Sequence, residues 1–334
     1  MRTVFILGTA FCGSTAVARE LARDPRIDTM GEIDRLSPFR AWSGQAPDRV
    51  LDVCRICGMA GREHDCPVFD QSLIAEATEV GLGGYAAVRR RFAAPVALDG
   101  SKNPWWMRQV VLSTPGLDPA AIILARLPWA YAYSDSQAGG YDLTRAVVAW
   151  RDVYDGALQI TADLGVPSLV IRYEDFILNR SAGNAAVSRL FGFTPETTRP
   201  AAVGLHHAIG GNLGAFLGMS GIDETAVRAT QVDEREAFKL EAEHLRSKEL
   251  ALVERWRGEL TAGDFSQVLS VPGVSETAGL LGYDLVRHLT RRAGGRPTPP
   301  RPPGARPPRA PVRRSGGTPP PAPGPRRRPA AEGP

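Results

Sequence analysis

The stretch Thr3–Arg23, TVFILGTAFCGSTAVARELAR, decides the fold. Its first five residues, Thr3–Leu7, are a short continuous apolar run, as in a strand buried on both faces. Gly8 and Gly13 bound the turn that follows. From Ser14 the spacing becomes helical, with Ala16, Val17 and Leu21 on one side, and Asp24-Pro25 ends the helix. Three later runs repeat the opening strand. Pro95–Leu98 (PVAL) ends at Asp99-Gly100, Ala120–Ala125 (AAIILA) at Arg126, and Ser168–Ile171 (SLVI) at Arg172-Tyr173-Glu174-Asp175. A long helical stretch over 143–164 separates the last two. Strands separated by helical segments predict an α/β fold, a parallel sheet with helices on both faces. The polar residues gather at the carboxyl ends of the strands, where open α/β sheets bind ligands.

The chain has 334 residues, enough for one large α/β domain, expected over 1–290. Within it, 36–92 reads as an irregular, Cys-containing insert that caps the sheet edge. Residues 218–290 read as helical and polar, with a helix around 234–260. The tail, 291–334, is of another kind. Of the 40 basic and 36 acidic residues, nine Arg and one Glu lie in 293–334, leaving 31 and 35 in the body. The net charge of +4 is thus a property of the tail, and the body is near −4. That balance gives the folded part no basic surface for specific nucleic-acid recognition. Fifteen of the 28 prolines also lie in 293–334, with almost no large apolar residues, so the tail is predicted to be disordered. It is a low-complexity extension or, on the functional reading, a basic arm for an acidic partner or membrane surface. No apolar run approaches the roughly 20 residues of a membrane span, and Met1–Gly8 lacks the pattern of a signal peptide. The protein is expected in the cytoplasm.

Gly8–Thr15, GTAFCGST, follows a strand and opens a helix. Its glycines have the spacing of the Walker A pattern, but Ser14 stands at the Lys position. Such a turn aims backbone N–H groups and the positive end of a helix dipole at an anion. Ser14 and Thr15 add hydroxyl donors. The missing Lys argues against nucleoside-triphosphate hydrolysis, where that residue holds the β- and γ-phosphates.

At this point the chain resembles the sulfotransferase family, particularly its bacterial members. The GTAFCGST turn is similar to the family's 5′-phosphosulfate loop. Arg126–Ser134, RLPWAYAYS, is similar to its 3′-phosphate signature, a strand-end Arg with a Ser eight positions on. Leu98–Pro104 (LDGSKNP), Ile171–Phe176 (IRYEDF) and His207–Asn212 (HAIGGN) match further segments in the family's order. The resemblance spans roughly 3–215. It implies 3′-phosphoadenosine 5′-phosphosulfate as sulfuryl donor, with no metal required. The implied contacts are Phe11, Cys12, Gly13, Ser14, Thr15 and Ala16 in the turn, Arg126 and Ser134 at the 3′-phosphate, and Gly211 with Asn212. Two departures stand out. Most relatives carry Arg or Lys where Phe11 stands, which moves the burden of charge onto Lys102. An Arg that often follows the Gly-Asn element is replaced by Leu213-Gly214-Ala215.

Sulfuryl transfer needs a base for the acceptor's proton, a cation for the leaving oxygen and donors for the equatorial oxygens. Glu32, in Met30-Gly31-Glu32, is the expected base, supported by relatives that carry a Gly-Glu there. His206 and His207 are the fallback bases. Lys102, after Asp99-Gly100-Ser101, is the expected cation, with Asp99 orienting Ser101 or Lys102. Glu174 and Asp175 are expected to brace loops. Cys12 lies in the turn, where a helix N-terminus can lower a thiol pKa, and it receives no catalytic role. Cys54, Cys57 and Cys66 read as reduced packing cysteines or a disulfide, with zinc on Cys54, Cys57, His64 and Cys66 as the alternative. The competing functions are a P-loop phosphotransferase and a catalytically degenerate nucleotide-binding member. The acceptor is expected to be a small hydroxylated molecule or a carbohydrate.

Overall fold

A computed structural model describes residues 1–43, 54–59, 66–138, 140–196, 198, 207–211 and 256–286. Five parallel strands form one sheet: β1 (Arg2–Leu7), β2 (Ile27–Gly31), β3 (Val96–Lys102), β4 (Asp118–Ala125) and β5 (Ser168–Arg172). Their order is β2-β3-β1-β4-β5. The chain leaves the central β1 for the edge strand β2, returns inward as β3, then crosses β1 to form β4. The carboxyl ends of β3, β1 and β4 therefore lie side by side where the direction of winding reverses, which is where such sheets leave a crevice.

The two-residue period of each strand divides the core. Phe5, Leu7, Ala97, Ala121, Ile123 and Ala125 point to one face, which they share with Trp106, Trp129 and Trp150. Val4, Ile6, Leu98, Ile122 and Leu124 point to the other, against Val17 and Leu21 of the first helix, Ser14–Leu21, and Phe176 and Val187 of later helices. Both faces are covered, which is why the strand sequences are continuously apolar rather than alternating. Side chains fix several helix starts. Asp142 accepts from Arg145 N at the head of Leu143–Asp163, and Asn103 accepts from the N–H groups of Trp105 and Trp106 at the head of Pro104–Ser113.

Several boundaries differ from the sequence reading. β3 runs on through Asp99-Gly100 to Lys102. Asp99 does not end it, because the buried carboxylate accepts from Tyr85 Oη at 2.9 Å, Trp106 Nε1 at 3.2 Å and Ser101 N at 2.9 Å. Residues 66–92, read as irregular, hold the helices Gln71–Val80 and Tyr85–Arg90. The second of them packs on a face of the sheet: the ring of Tyr85 stacks on Phe5 of central β1 with centroids 6.1 Å apart. The helix expected around 234–260 ends at Glu259, in agreement with the sequence, and Thr261 and Asp264 form a capping box that starts a new helix, Ala262–Leu269. Most of 234–260 and the whole of the tail lie outside the described residues. Trp129 stacks on Trp256 with centroids 6.0 Å apart and meets Phe265 edge-on at 5.2 Å, which docks the late helices on the first core. Among the described residues no helix is long and apolar enough to cross a membrane.

Candidate active site

β1 delivers the chain into the Gly8–Gly13 turn. Gly8 N donates to Lys102 O at 3.0 Å, so the turn is tied to the end of β3. Gly13 has φ +90°, and a Cβ there would sit 2.1 Å from Cε2 of Tyr173. Only glycine lets that ring pack beneath the turn. Gly13, at the N-cap, offers no side-chain hydrogen bond to the helix that follows.

Among the described residues, two non-glycine residues have positive φ: Phe11 at 59° and Lys102 at 69°. Both are predicted site residues. A conformation that costs about 1–3 kcal/mol is concentrated where loops of β1 and β3 meet. Arg126, directly after β4, donates through Nη1 to the Phe11 carbonyl. Its guanidinium lies 5.8 Å from the Tyr173 ring centroid, and Trp150 Nε1 holds its carbonyl at 2.8 Å. The Nε of Arg126 is buried without a hydrogen-bond partner among the described residues, a donor suited to an incoming anion.

Glu32 follows β2 and is 7% exposed. Its N–H donates to Ile209 O at 2.6 Å, part of a bridge that pairs Gly31 with Ile209. Lys102 Nζ pairs with Oε1 and Arg35 Nε with Oε2, the latter at 2.6 Å. The expected base and the expected cation are thus in direct contact. Behind them, Asp34 N donates to Ser101 Oγ at 3.1 Å, and Ser101 is held by Asp99. Burial first, then the charge of Glu32, pushes the Asp34 carboxyl up to about 7, against the opposing pull of Lys102. Burial also raises Asp99 from its ordinary value, against the hydrogen bonds it accepts from Ser101, Trp106 and Tyr85. One cleft is lined by Ser14 and Thr15 from the helix N-terminus, by Gly31 and Glu32, by Gly100, and by Gly210 and Gly211. It brings the Gly8–Gly13 turn and the carboxylate to the same space.

No family model matches the chain, and no curated protein matches it. Solved structures do. The sulfotransferase domain of the Synechococcus PCC 7002 olefin synthase aligns over 85% of this chain and 95% of its own, with 16% identity and a TM-score of 0.51. The sulfotransferase domain of the curacin biosynthetic pathway aligns over 85% and 98%, with 17% identity and a TM-score of 0.52. The chain has a sulfotransferase fold.

Within this sulfotransferase fold the remaining predicted residues fall into distinct places. Ala16 is half-buried against the second core. Ser134 lies in the helix Pro128–Gln137 and donates back to Ala130 O at 2.9 Å, so its hydroxyl is engaged within its own helix. Asn212 and His206 lie outside the described residues. Cys12 is fully buried, and burial pushes its thiol up rather than down, so the dipole effect expected at a helix N-terminus does not prevail. Glu174 accepts from Leu127 N at 3.1 Å and Tyr283 Oη at 2.7 Å, and Asp175 pairs with Arg172; both brace loops.

The three cysteines of the insert are reduced and buried, one of the arrangements expected from the sequence. No two of its cysteines form a disulfide. Cys54, Cys57 and Cys66 converge instead, and His207 joins them, with ligand atoms all within 4.8 Å of one another. His64 lies outside the described residues. His207, a fallback base, therefore turns its Nδ1 to three sulfurs rather than to the cleft. Arg35 and Asp34 were missed. Arg35 could have been found, since a cation three residues after Glu32 lies on the same side of a helical turn.

Proposed function

We propose that this protein is a sulfotransferase that moves the sulfuryl group of 3′-phosphoadenosine 5′-phosphosulfate to a hydroxyl or amine acceptor. The observation that carries the reading is the meeting of three strand ends: the anion-binding turn after β1, Lys102 with Glu32 at β3 and β2, and Arg126 after β4. The turn's N–H groups and the Ser14 and Thr15 hydroxyls would bind the 5′-phosphosulfate. Arg126 would take the 3′-phosphate, using the buried Nε and a guanidinium that now spends one donor on the Phe11 carbonyl. The acceptor oxygen attacks sulfur in line as the bond from sulfur to the bridging phosphate oxygen breaks. Glu32 receives the acceptor's proton, and Lys102 moves its charge from Glu32 to the departing oxygen. Phe11 contributes its backbone carbonyl and an apolar ring packed on the core in place of the usual cation.

Ser14 at the Walker Lys position weighs against a phosphotransferase. We place residues 1–290 in one catalytic domain, with a small-molecule or carbohydrate acceptor, a cytoplasmic location, and the Arg/Pro tail as an arm for an acidic partner. The test is calorimetric binding of adenosine 3′,5′-bisphosphate and ADP to the wild type and to Arg126→Ala. The bisphosphate is expected to bind at least tenfold more tightly than ADP, and Arg126→Ala to erase that preference, as loss of a charged hydrogen bond of about 1.5–3 kcal/mol requires. Equal binding of the two nucleotides, or binding of neither, refutes the reading.

A further inference from the structure

The sulfurs of Cys54, Cys57 and Cys66 lie 3.8, 3.5 and 3.4 Å from a single atom, Nδ1 of His207. Hydrogen bonding to that nitrogen does not account for all three contacts. One imidazole nitrogen has one proton or one lone pair, enough for one sulfur. A disulfide does not account for them either, since it would join two sulfurs at about 2.05 Å and leave the third unmatched. A tetrahedral metal does. Zinc with sulfurs at about 2.3 Å and nitrogen at about 2.0–2.1 Å sets each sulfur–nitrogen edge at about 3.6 Å, the middle of the three observed separations.

The surroundings fit the same ion. All three cysteines are buried, and the soft Cys3His set suits zinc over harder cations. Cys54 and Cys57 stand three residues apart at the start of the helix Arg55–Met59. Phe69 N donates to Cys66 Sγ at 3.2 Å, a backbone contact that orients a thiolate ligand. We infer that Cys54, Cys57, Cys66 and His207 hold one structural zinc ion. Four protein ligands leave no open position, so the ion has no catalytic role of its own. It joins two stretches that the sequence keeps 141 residues apart. Arg55 N donates to Ala208 O at 2.7 Å beside it. The next residue, Ile209, bridges Gly31 and receives the N–H of Glu32, so the ion anchors the segment against which Glu32 is seated.

The metal assignment is independent of the sulfotransferase reading, and its test does not use turnover. The full chain is purified without chelator from zinc-supplemented culture, and its metal content is measured by mass spectrometry. One zinc per chain is expected. Replacement by Co(II) should give the intense visible and thiolate charge-transfer absorption of a tetrahedral site. His207→Ala and Cys57→Ser should lower metal affinity more than tenfold, His64→Ala should leave it unchanged, and His207→Cys should keep the metal with a shifted Co(II) spectrum. Less than about one tenth of an equivalent in the wild type, with no tetrahedral Co(II) spectrum, overturns the proposal. So does a zinc that a chelator removes with no fall in Tm. Loss of metal in His64→Ala with retention in His207→Ala overturns the fourth ligand. Misfolding of a variant leaves the wild-type metal content and Co(II) spectrum as deciding readouts.

Discussion

Asp34 is a carboxyl group folded into a site already crowded with charge. It is fully buried, and its pKa rises from 3.8 to about 7, chiefly by burial and then by the neighbouring Glu32, with Lys102 pulling the other way. Between roughly pH 4 and pH 7 the folded chain keeps a proton that the unfolded chain has released, so stability falls as pH rises through that window. The full displacement of about three pH units amounts to about 4 kcal/mol, of which about 2.5 kcal/mol falls between pH 5 and pH 8. Asp34→Asn keeps the shape and removes the titration. Urea unfolding of both chains at pH 5, 6, 7 and 8, at constant m, isolates the effect of Asp34 and the groups coupled to it, because titrations independent of Asp34 cancel in the difference. The variant should gain about 2.5 kcal/mol on the wild type between pH 5 and pH 8. A difference between the two chains that stays constant to within about 0.5 kcal/mol over that range would refute the reasoning.

Other perturbations test separate links. Gly13→Ala drives a Cβ to 2.1 Å from the Tyr173 ring at a φ of +90°; a loss above about 2 kcal/mol in chemical denaturation is expected, with nucleotide binding lost as well. Trp129→Ala removes the ring that meets both Trp256 and Phe265 and should cost about 3–5 kcal/mol, with faster proteolysis of residues 256–286. Lys102→Met should lower kcat of sulfuryl transfer about 10²–10³-fold while leaving bisphosphate affinity within a few fold, the signature of a charge needed in the transition state.

Much of this was legible in the sequence because it is local. The apolar run, the two glycines and the helical spacing over 3–23 specify β1, the turn and the first helix without reference to anything distant. The ends of β4 and β5 were legible for the same reason. The end of β3 was not: Asp99-Gly100 has the composition of a terminator, and only the partners Tyr85 and Trp106, remote in the fold, make the carboxylate compatible with a buried strand. The histidine that stands beside the three cysteines was not legible either. A search by spacing selects His64, which lies inside the cysteine segment. His207 is brought to the cluster by a segment that pairs with the end of β2, and no spacing encodes that. Arg35 sits within one helical turn of Glu32 and needed only the side-by-side inspection of charges.

The docking of Trp129 against Phe265 has a consequence during synthesis. The two rings are separated by 136 positions of chain, so at about 5–20 residues per second the ribosome delivers the second ring roughly 7–27 s after the first. For that interval the growing chain has its sheet nearly complete but shows a bare indole ring to whatever surrounds it. A chaperone that grips nascent chains would find a foothold here, and slowing translation between the two rings would lengthen its stay.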